Sequence, residues 1–439
     1  MKIILVHGGG HGAWCWYKVV AMVRSQGSVT AVDLAASGSD PRRIPEDVSS
    51  FDEYSQPLMD LMASVAEGEK VVLVGHSFGG ISLATAMEAF PEKIAVAVFV
   101  SALLPDIVHP PFYILEQHFE QLPDKYTDMQ TKSIAIPGRS EPFIISILQP
   151  KLLASSLYQN CSFEIKSREK KRLSNQIEMK IILVHGGGHG AWCWYKVVAM
   201  LRSQGYSVTA VDLAACGSDP RRIPEDVSNF DEYSQPLMDL MASVGEGEKV
   251  VLVGHSFGGL NLAAAMDAFP EKIAVAVFVA AVLPDTVHSP WYIFEKQNFE
   301  ELLDKYTDGV EVKSVVIPGR SEPFIIFTLL PTLLASAFYQ NCSIEDLTLG
   351  NMMVRPVSIF KEDLKNRAAF TKERYGSVDK VFIVCGEDAM VTLDFQRWMI
   401  QNSPVKEVME IKEADHMAML SKPEELCQCL TTIVSKYVW

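Results

Sequence analysis

A serine, an acid and a histidine occur in this chain in an order that suits acyl transfer. The stretch Gly254-His255-Ser256-Phe257-Gly258 fits G-x-S-x-G between an apolar run, VVLV, and a helix-like run, LNLAAAMDAF. A serine at such a strand-to-helix turn is lifted clear of the sheet, with a helix N-terminus beneath it. Its hydroxyl needs a base, and the base needs an orienting acid. After Ser256 the chain offers two histidines, His288 and His416. His416 follows the last expected strand, whereas His288 stands where an insertion begins. The acid belongs in a loop after a strand between nucleophile and base. Asp388, after KVFIVC, meets that requirement, with Glu387 a near rival and Asp285 a third choice. Asp415 reads as a surface or capping carboxylate. The oxyanion needs two amides. These are expected from Phe257 and from Gly187 in the loop His185-Gly186-Gly187-Gly188, with His185 shaping that loop.

These residues need a scaffold that brings distant segments to one edge. KIILV, SVTAVDL, VVLVGHS, IAVAVFVAAVL, KVFIVCG and a short last stretch within VMEIKEADH read as strands separated by helical patterns. Strands alternating with helices, several of them unbroken apolar runs, imply a mainly parallel sheet covered on both faces. That is an α/β architecture. Residues 286–374 interrupt the rhythm and read as a helical lid, from which Trp291, Phe294, Phe324 and Phe327 are expected to line an apolar pocket. Met417, beside His416, is expected to touch substrate.

The chain holds this pattern one and a half times. Residues 1–110 repeat in 179–289 with about a dozen substitutions and one inserted residue, Tyr206. The likeness ends near residue 164. The sequence therefore divides into a truncated copy over 1–164, a linker over 165–178 and a complete copy over 179–439. Ser77 occupies an identical turn in the first copy, yet nothing there corresponds to Asp388 or His416. Its only later histidines are His109 and His118, so Ser77 is expected to be inert. Loss of the last strands should also leave an apolar sheet edge open.

The 439 residues carry a net charge of −15, which argues against nucleic acid or an anionic membrane as partner. The basic run 168–172 reads as a solvated linker. Eight scattered cysteines form no CxxC pair and suit free thiols in a reducing compartment. With no apolar run of membrane-spanning length and no signal-peptide core, a cytoplasmic protein is expected. No metal or organic cofactor is required by the chemistry.

HGGGHGAWCWYK, TAVDLAACGSD, GHSFGGLNLAAAMDAFPEKI and EADHMAML resemble the plant methylesterase branch of the α/β-hydrolases. That branch includes salicylate-binding methylesterases, polyneuridine aldehyde esterase and the hydroxynitrile lyases. The resemblance covers 179–439 and, truncated, 1–164. It implies cleavage of methyl esters of small plant acids such as salicylate, jasmonate or indole-acetate, and is consistent with a homodimer. The related lyases carry a lysine after the triad histidine and a threonine after the first-loop histidine. Here those positions hold Met417 and Gly186, which favours an esterase. Two other readings remain. One is a non-catalytic small-molecule receptor on the same fold. The other is a dinucleotide enzyme built on Gly186-x-Gly188-x-x-Ala191, Asp212 and Tyr292-x-x-x-Lys296, which leaves Ser256, Asp388 and His416 without a purpose.

Overall fold

The computed structural model describes residues 2–25, 27–111, 113–115, 117, 130–135, 143–147, 158, 180–298, 301 and 305–437. The expected linker 165–178, the basic run 168–172 and His118 lie outside the described residues. The chain separates into two compact units, Met1–Lys171 and Arg172–Trp439.

The first unit contains four parallel strands, β1 (Lys2–Val6), β2 (Val29–Val32), β3 (Val71–His76) and β4 (Ile94–Val100), ordered β2-β1-β3-β4. An antiparallel pair follows, β5 (Gln130–Ile134) and β6 (Phe143–Ile147). The second unit repeats the four-strand core and extends it. Strands β7 (Lys180–Val184), β8 (Ser207–Val211), β9 (Val250–His255) and β10 (Ile273–Val279) recur in the same relative order. After the hairpin β11 (Val310–Val315) and β12 (Phe324–Leu329), the chain returns to the sheet as β13 (Lys380–Cys385) and β14 (Glu407–Ile411). The completed order is β14-β13-β10-β9-β7-β8, every pairing parallel.

Coverage, not sequence, sets the burial of the shared strands. β4 and β10 are both IAVAVFV. In β10, Val275, Val277 and Val279 are 0% exposed, because β13 pairs alongside and helices pack over both faces. Their counterparts in β4, Val96, Val98 and Val100, are 52%, 39% and 41% exposed, and β4 ends its sheet. A valine contributes about 1.5–3 kcal/mol when fully buried. Three half-exposed valines thus forgo several kcal/mol where a domain's whole stability is about 5–15 kcal/mol.

The insertion differs from the helical lid read in the sequence. Residues 310–329 form an antiparallel hairpin, and Phe327 pairs further with Val357. Its turn lies around Pro318-Gly319-Arg320-Ser321, where Gly319 takes a φ of 90°. The alternation of VEVKSV and FIIFTL around those turn residues is a hairpin signal, masked by the aromatic and Met-rich surroundings. Helices Ile344–Met353 and Lys361–Asn366 and a π-helical turn, Leu334–Phe338, complete the insertion. Among the described residues, no helix is long and apolar enough to cross a membrane. Seven described cysteines are all free thiols.

The turn after β9 depends on close packing. A Cβ at Gly258 would stand 2.5 Å from the His185 carbonyl oxygen, below any ordinary contact. Gly258→Ala should therefore destabilise the second unit by about 1–3 kcal/mol. The effect is read as faster amide hydrogen exchange across β9, with β3 of the first unit unchanged.

Candidate active site

The candidate triad and glycine loop sit beyond the carboxyl ends of parallel strands, where open α/β sheets form their sites. β9 leads into Ser256, β13 into Asp388, β14 into His416 and β7 into the glycine loop. Ser256 adopts a φ of 53°, a left-handed conformation unusual for a residue with a side chain. Its carbonyl accepts from the amides of Gly259 and Val282, which hold the turn against the adjoining loop.

The three side chains form one hydrogen-bonded line. His416 Nε2 lies 3.0 Å from Ser256 Oγ, and His416 Nδ1 lies 2.8 Å from Asp388 Oδ2. The other carboxylate oxygen of Asp388 accepts from the amides of Met390 and Val391, each at 2.8 Å. Both oxygens are thus occupied and the group is fixed without freedom to rotate. The side chains of His416 and Asp388 are 1% and 0% exposed, so the pair is closed to bulk water. Phe338, from the π-helical turn, stands edge-on to the His416 ring at 5.0 Å.

The rival acids are engaged elsewhere. Glu387 is exposed and accepts from Asn341 Nδ2 at 2.6 Å. Asp285 bonds His288 Nδ1 at 2.7 Å, and the His288 ring stacks on Tyr292. Asp415 is no surface carboxylate: it is fully buried and accepts from the amides of Asn341 and Met417 and from the Ser421 hydroxyl. It cross-ties the insertion to the His416 loop. Asp212, the residue on which a ribose would depend, accepts instead from the Ala191 amide and from both Ser218 donors.

Gly187 and Phe257 line the same cavity as Ser256 and His416. The Cβ position of Gly187 lies 3.7 Å from Phe257 Cβ, so the two backbones converge beside the serine. The rest of the wall is apolar, with Phe294, Phe327, Phe338, Leu333, Val357 and Met390 prominent. Of the residues expected to line it, Phe294 and Phe327 do so. Trp291 and Phe324 do not. They line an adjoining cavity that shares Phe327, Ser358 and Ile359 with the first. Met417 does not either: its side chain is 0% exposed in the core cluster with Ile411, Ala414 and Leu420. Adjacency to His416 misleads here, because neighbouring residues in an extended turn project to different sides.

The loop histidines are structural in different ways. His185 Nε2 accepts from the Leu213 amide at 3.0 Å, so its proton sits on Nδ1, 2.7 Å from the Gly186 carbonyl. His189 donates from Nδ1 to the Gly187 carbonyl at 3.0 Å and accepts at Nε2 from the Tyr339 hydroxyl at 2.9 Å. It therefore ties the glycine loop to the insertion. Burial lowers both imidazoles, His189 to about 3. His189 and His255 escaped the sequence reading. The repeated histidine of HGGGHG was the one visible signal for His189, His255 filled only the open position of G-x-S-x-G, and their partners lie 150 and 161 residues away.

In the first unit Ser77 repeats the elbow with a φ of 52°. Among the described residues, Ser77 Oγ has no hydrogen-bond partner. His109 pairs with Asp106 at 2.8 Å on the surface, just as His288 pairs with Asp285.

A strained serine between a parallel sheet and a helix, bonded to a buried histidine and carboxylate from later strands, defines an α/β-hydrolase. The signature of the alpha/beta hydrolase family matches residues 3–149 and 181–428, and the chain belongs to that family. It is 50% identical over 257 residues to Methylesterase 3 of Arabidopsis thaliana, covering 58% of this chain and 96% of that protein. It is 47% identical over 257 residues to Norfluorocurarine synthase 1 of Strychnos nux-vomica, again over 58% and 96%. The crystal structure of polyneuridine aldehyde esterase superimposes with a TM-score of 0.56 at 47% identity, covering 58% of this chain and 99% of that one.

The buried neutral histidines make stability acid-sensitive. Folded His189 refuses a proton down to about pH 3, whereas an unfolded histidine binds one below about 6.5. Its contribution is present above 6.5 and drains away as pH falls toward 3. His189→Phe should reduce the slope of stability against pH by up to ~1.4 kcal/mol per unit across that window. Denaturant midpoints at several values between pH 7 and 4 provide the measurement.

Proposed function

We propose that this carboxylic ester hydrolase cleaves methyl esters of small apolar plant acids through Ser256, His416 and Asp388. The observation that carries the reading is the unbroken line from Asp388 through His416 to Ser256 at the wall of an apolar cavity. Ser256 Oγ attacks the ester carbonyl carbon while its proton passes to His416 Nε2. Asp388 holds the Nδ1–H tautomer and stabilises the imidazolium. The oxyanion accepts from the amides of Gly187 and Phe257, which donate to no other described group. The C–O bond to methoxide then breaks, and His416 protonates the leaving group to methanol. Water, deprotonated by His416, attacks the acyl carbon, the acid is released, and the proton returns to Ser256.

The site also bears on which reaction is run. Among the described residues, no lysine or arginine lines the cavity. A departing cyanide would need such a cation nearby, and the two positions that supply polar groups in the related lyases are here a glycine and a core methionine. A side chain at Gly186 would meet Ser256 Cβ at 2.8 Å. Ester cleavage needs only the groups present. The apolar wall favours aromatic or alicyclic acyl groups, for which methyl salicylate, methyl jasmonate and methyl indole-acetate are the test substrates. The net charge and the free thiols support a cytosolic enzyme without nucleic-acid partners.

Methanol release from those three esters should be detectable with the full chain. Ser256→Ala and His416→Ala should each lower kcat by roughly 10⁴–10⁶, and Asp388→Asn by roughly 10⁴. Ser77→Ala should leave kcat unchanged. Turnover that survives Ser256→Ala, or that depends on Ser77, would contradict the assignment.

A further inference from the structure

The residue that precedes the nucleophile has no part in the steps above, yet it bonds the loop that carries the base. His255 is completely buried. Its Nε2 lies 2.7 Å from the main-chain carbonyl oxygen of His416. A carbonyl only accepts, so Nε2 carries the proton and the tautomer is fixed. Nδ1 is then a bare lone pair, and it has no hydrogen-bond partner among the described residues. The glycine loop lies on that side, since a Cβ built on Gly186 would stand 3.0 Å from Nδ1. The ring also lies 4.6 Å from the His416 ring, centroid to centroid, and meets Trp194 edge-on at 6.5 Å.

We infer that His255 is a positioning residue for the base: it clamps the backbone of His416 to the nucleophile turn and so fixes the reach from Nε2 of His416 to Ser256 Oγ. This inference rests on the proposed triad. The two histidines arrive from β9 and from the loop after β14, which are not neighbours in the sheet. A direct side-chain hydrogen bond from the elbow to that loop therefore spans the intervening β10 and β13. An apolar residue of equal volume would fill the space without an orphaned nitrogen, and buried polar atoms without partners are rare in native structures. The imidazole's presence is accounted for by its one bond. Burial, reinforced by the nearby His416, holds His255 neutral, so no second positive charge opposes protonation of the base.

The first unit supplies an internal contrast. His76 occupies the same turn with the same neighbour, Trp16, edge-on at 6.4 Å. No histidine loop follows it, His76 is only partly buried, and no hydrogen bond joins it to another described residue. The bond at His255 thus comes from the His416 loop and is no general property of the elbow.

The test uses the full chain with p-nitrophenyl acetate as probe. His255→Phe keeps a ring without a donor, and His255→Gln offers a side-chain N–H that can reach the same carbonyl. The expected result is a kcat lowered by roughly 10–100-fold in His255→Phe, as for an ångström-scale misplacement of a catalytic group. KM should stay within about twofold of the parent, and His255→Gln should recover most of the loss. Wild-type kcat in His255→Phe, or equal losses in both variants, would overturn the inference. A fold defect is separated by circular dichroism, and a variant that unfolds is replaced by His255→Leu with the same criteria. Ser256→Ala, assayed alongside, keeps the two failures apart. If it retains turnover, the triad reading falls; if it is dead while His255→Phe is unaffected, only the role of His255 falls.

Discussion

Everything distinctive about the second unit follows from holding a histidine between a serine and a carboxylate that arrive from different strands. The line from Asp388 through His416 to Ser256 is made inside protein, where an unpaired charge or a misdirected donor is costly. Each end must consequently be fixed by its own surroundings. Asp388 is held by two amides of its own loop, and Ser256 by a left-handed turn whose glycine neighbours permit close packing. The His416 loop is tied twice, by buried Asp415 toward the insertion and by His255 toward the elbow. The insertion belongs to the same system. Its π-helical turn places Phe338 against His416 and brings Tyr339 to His189 on the glycine loop.

The duplication separates what a sequence encodes from what its neighbours confer. β4 and β10 have one sequence and opposite burial, because only β10 has β13 beside it. Likewise the Ser77 and Ser256 turns share a conformation, at φ of 52° and 53°. The elbow is therefore local: strand, glycines and helix suffice to make it. The hydrogen-bonded line is not local, because it requires the loops after β13 and β14. Formation of a nucleophile turn is thus weaker evidence for activity than the presence of the segments that complete it.

The sequence exposed the parts whose signal lies within a few residues. The apolar runs of β7, β9, β10 and β13 are unbroken because both faces are covered, and each ends in the small or polar residues that form the site. Ser256, Asp388 and His416 stood out as candidates for that reason: Ser256 directly follows β9, and Asp388 and His416 lie in the short loops after β13 and β14. The hairpin of β11 and β12 was not, since its alternation lies within a segment crowded with aromatic residues. Met417 was misplaced because adjacency in the chain says nothing about which side of a turn a residue faces. His189 and His255 were missed because their partners come from the opposite end of the domain. Trp291 and Phe324 belong to the correct region but line its neighbouring cavity.

The most direct measurement is reaction of the full chain with a fluorophosphonate, followed by peptide mapping of the adduct. Such a probe traps a serine activated by a base beside an oxyanion site. The account predicts an adduct on Ser256 and none on Ser77, since both share the turn but, among the described residues, Ser256 alone of the two meets a histidine. An adduct on Ser77, or an unmodified Ser256, would contradict it.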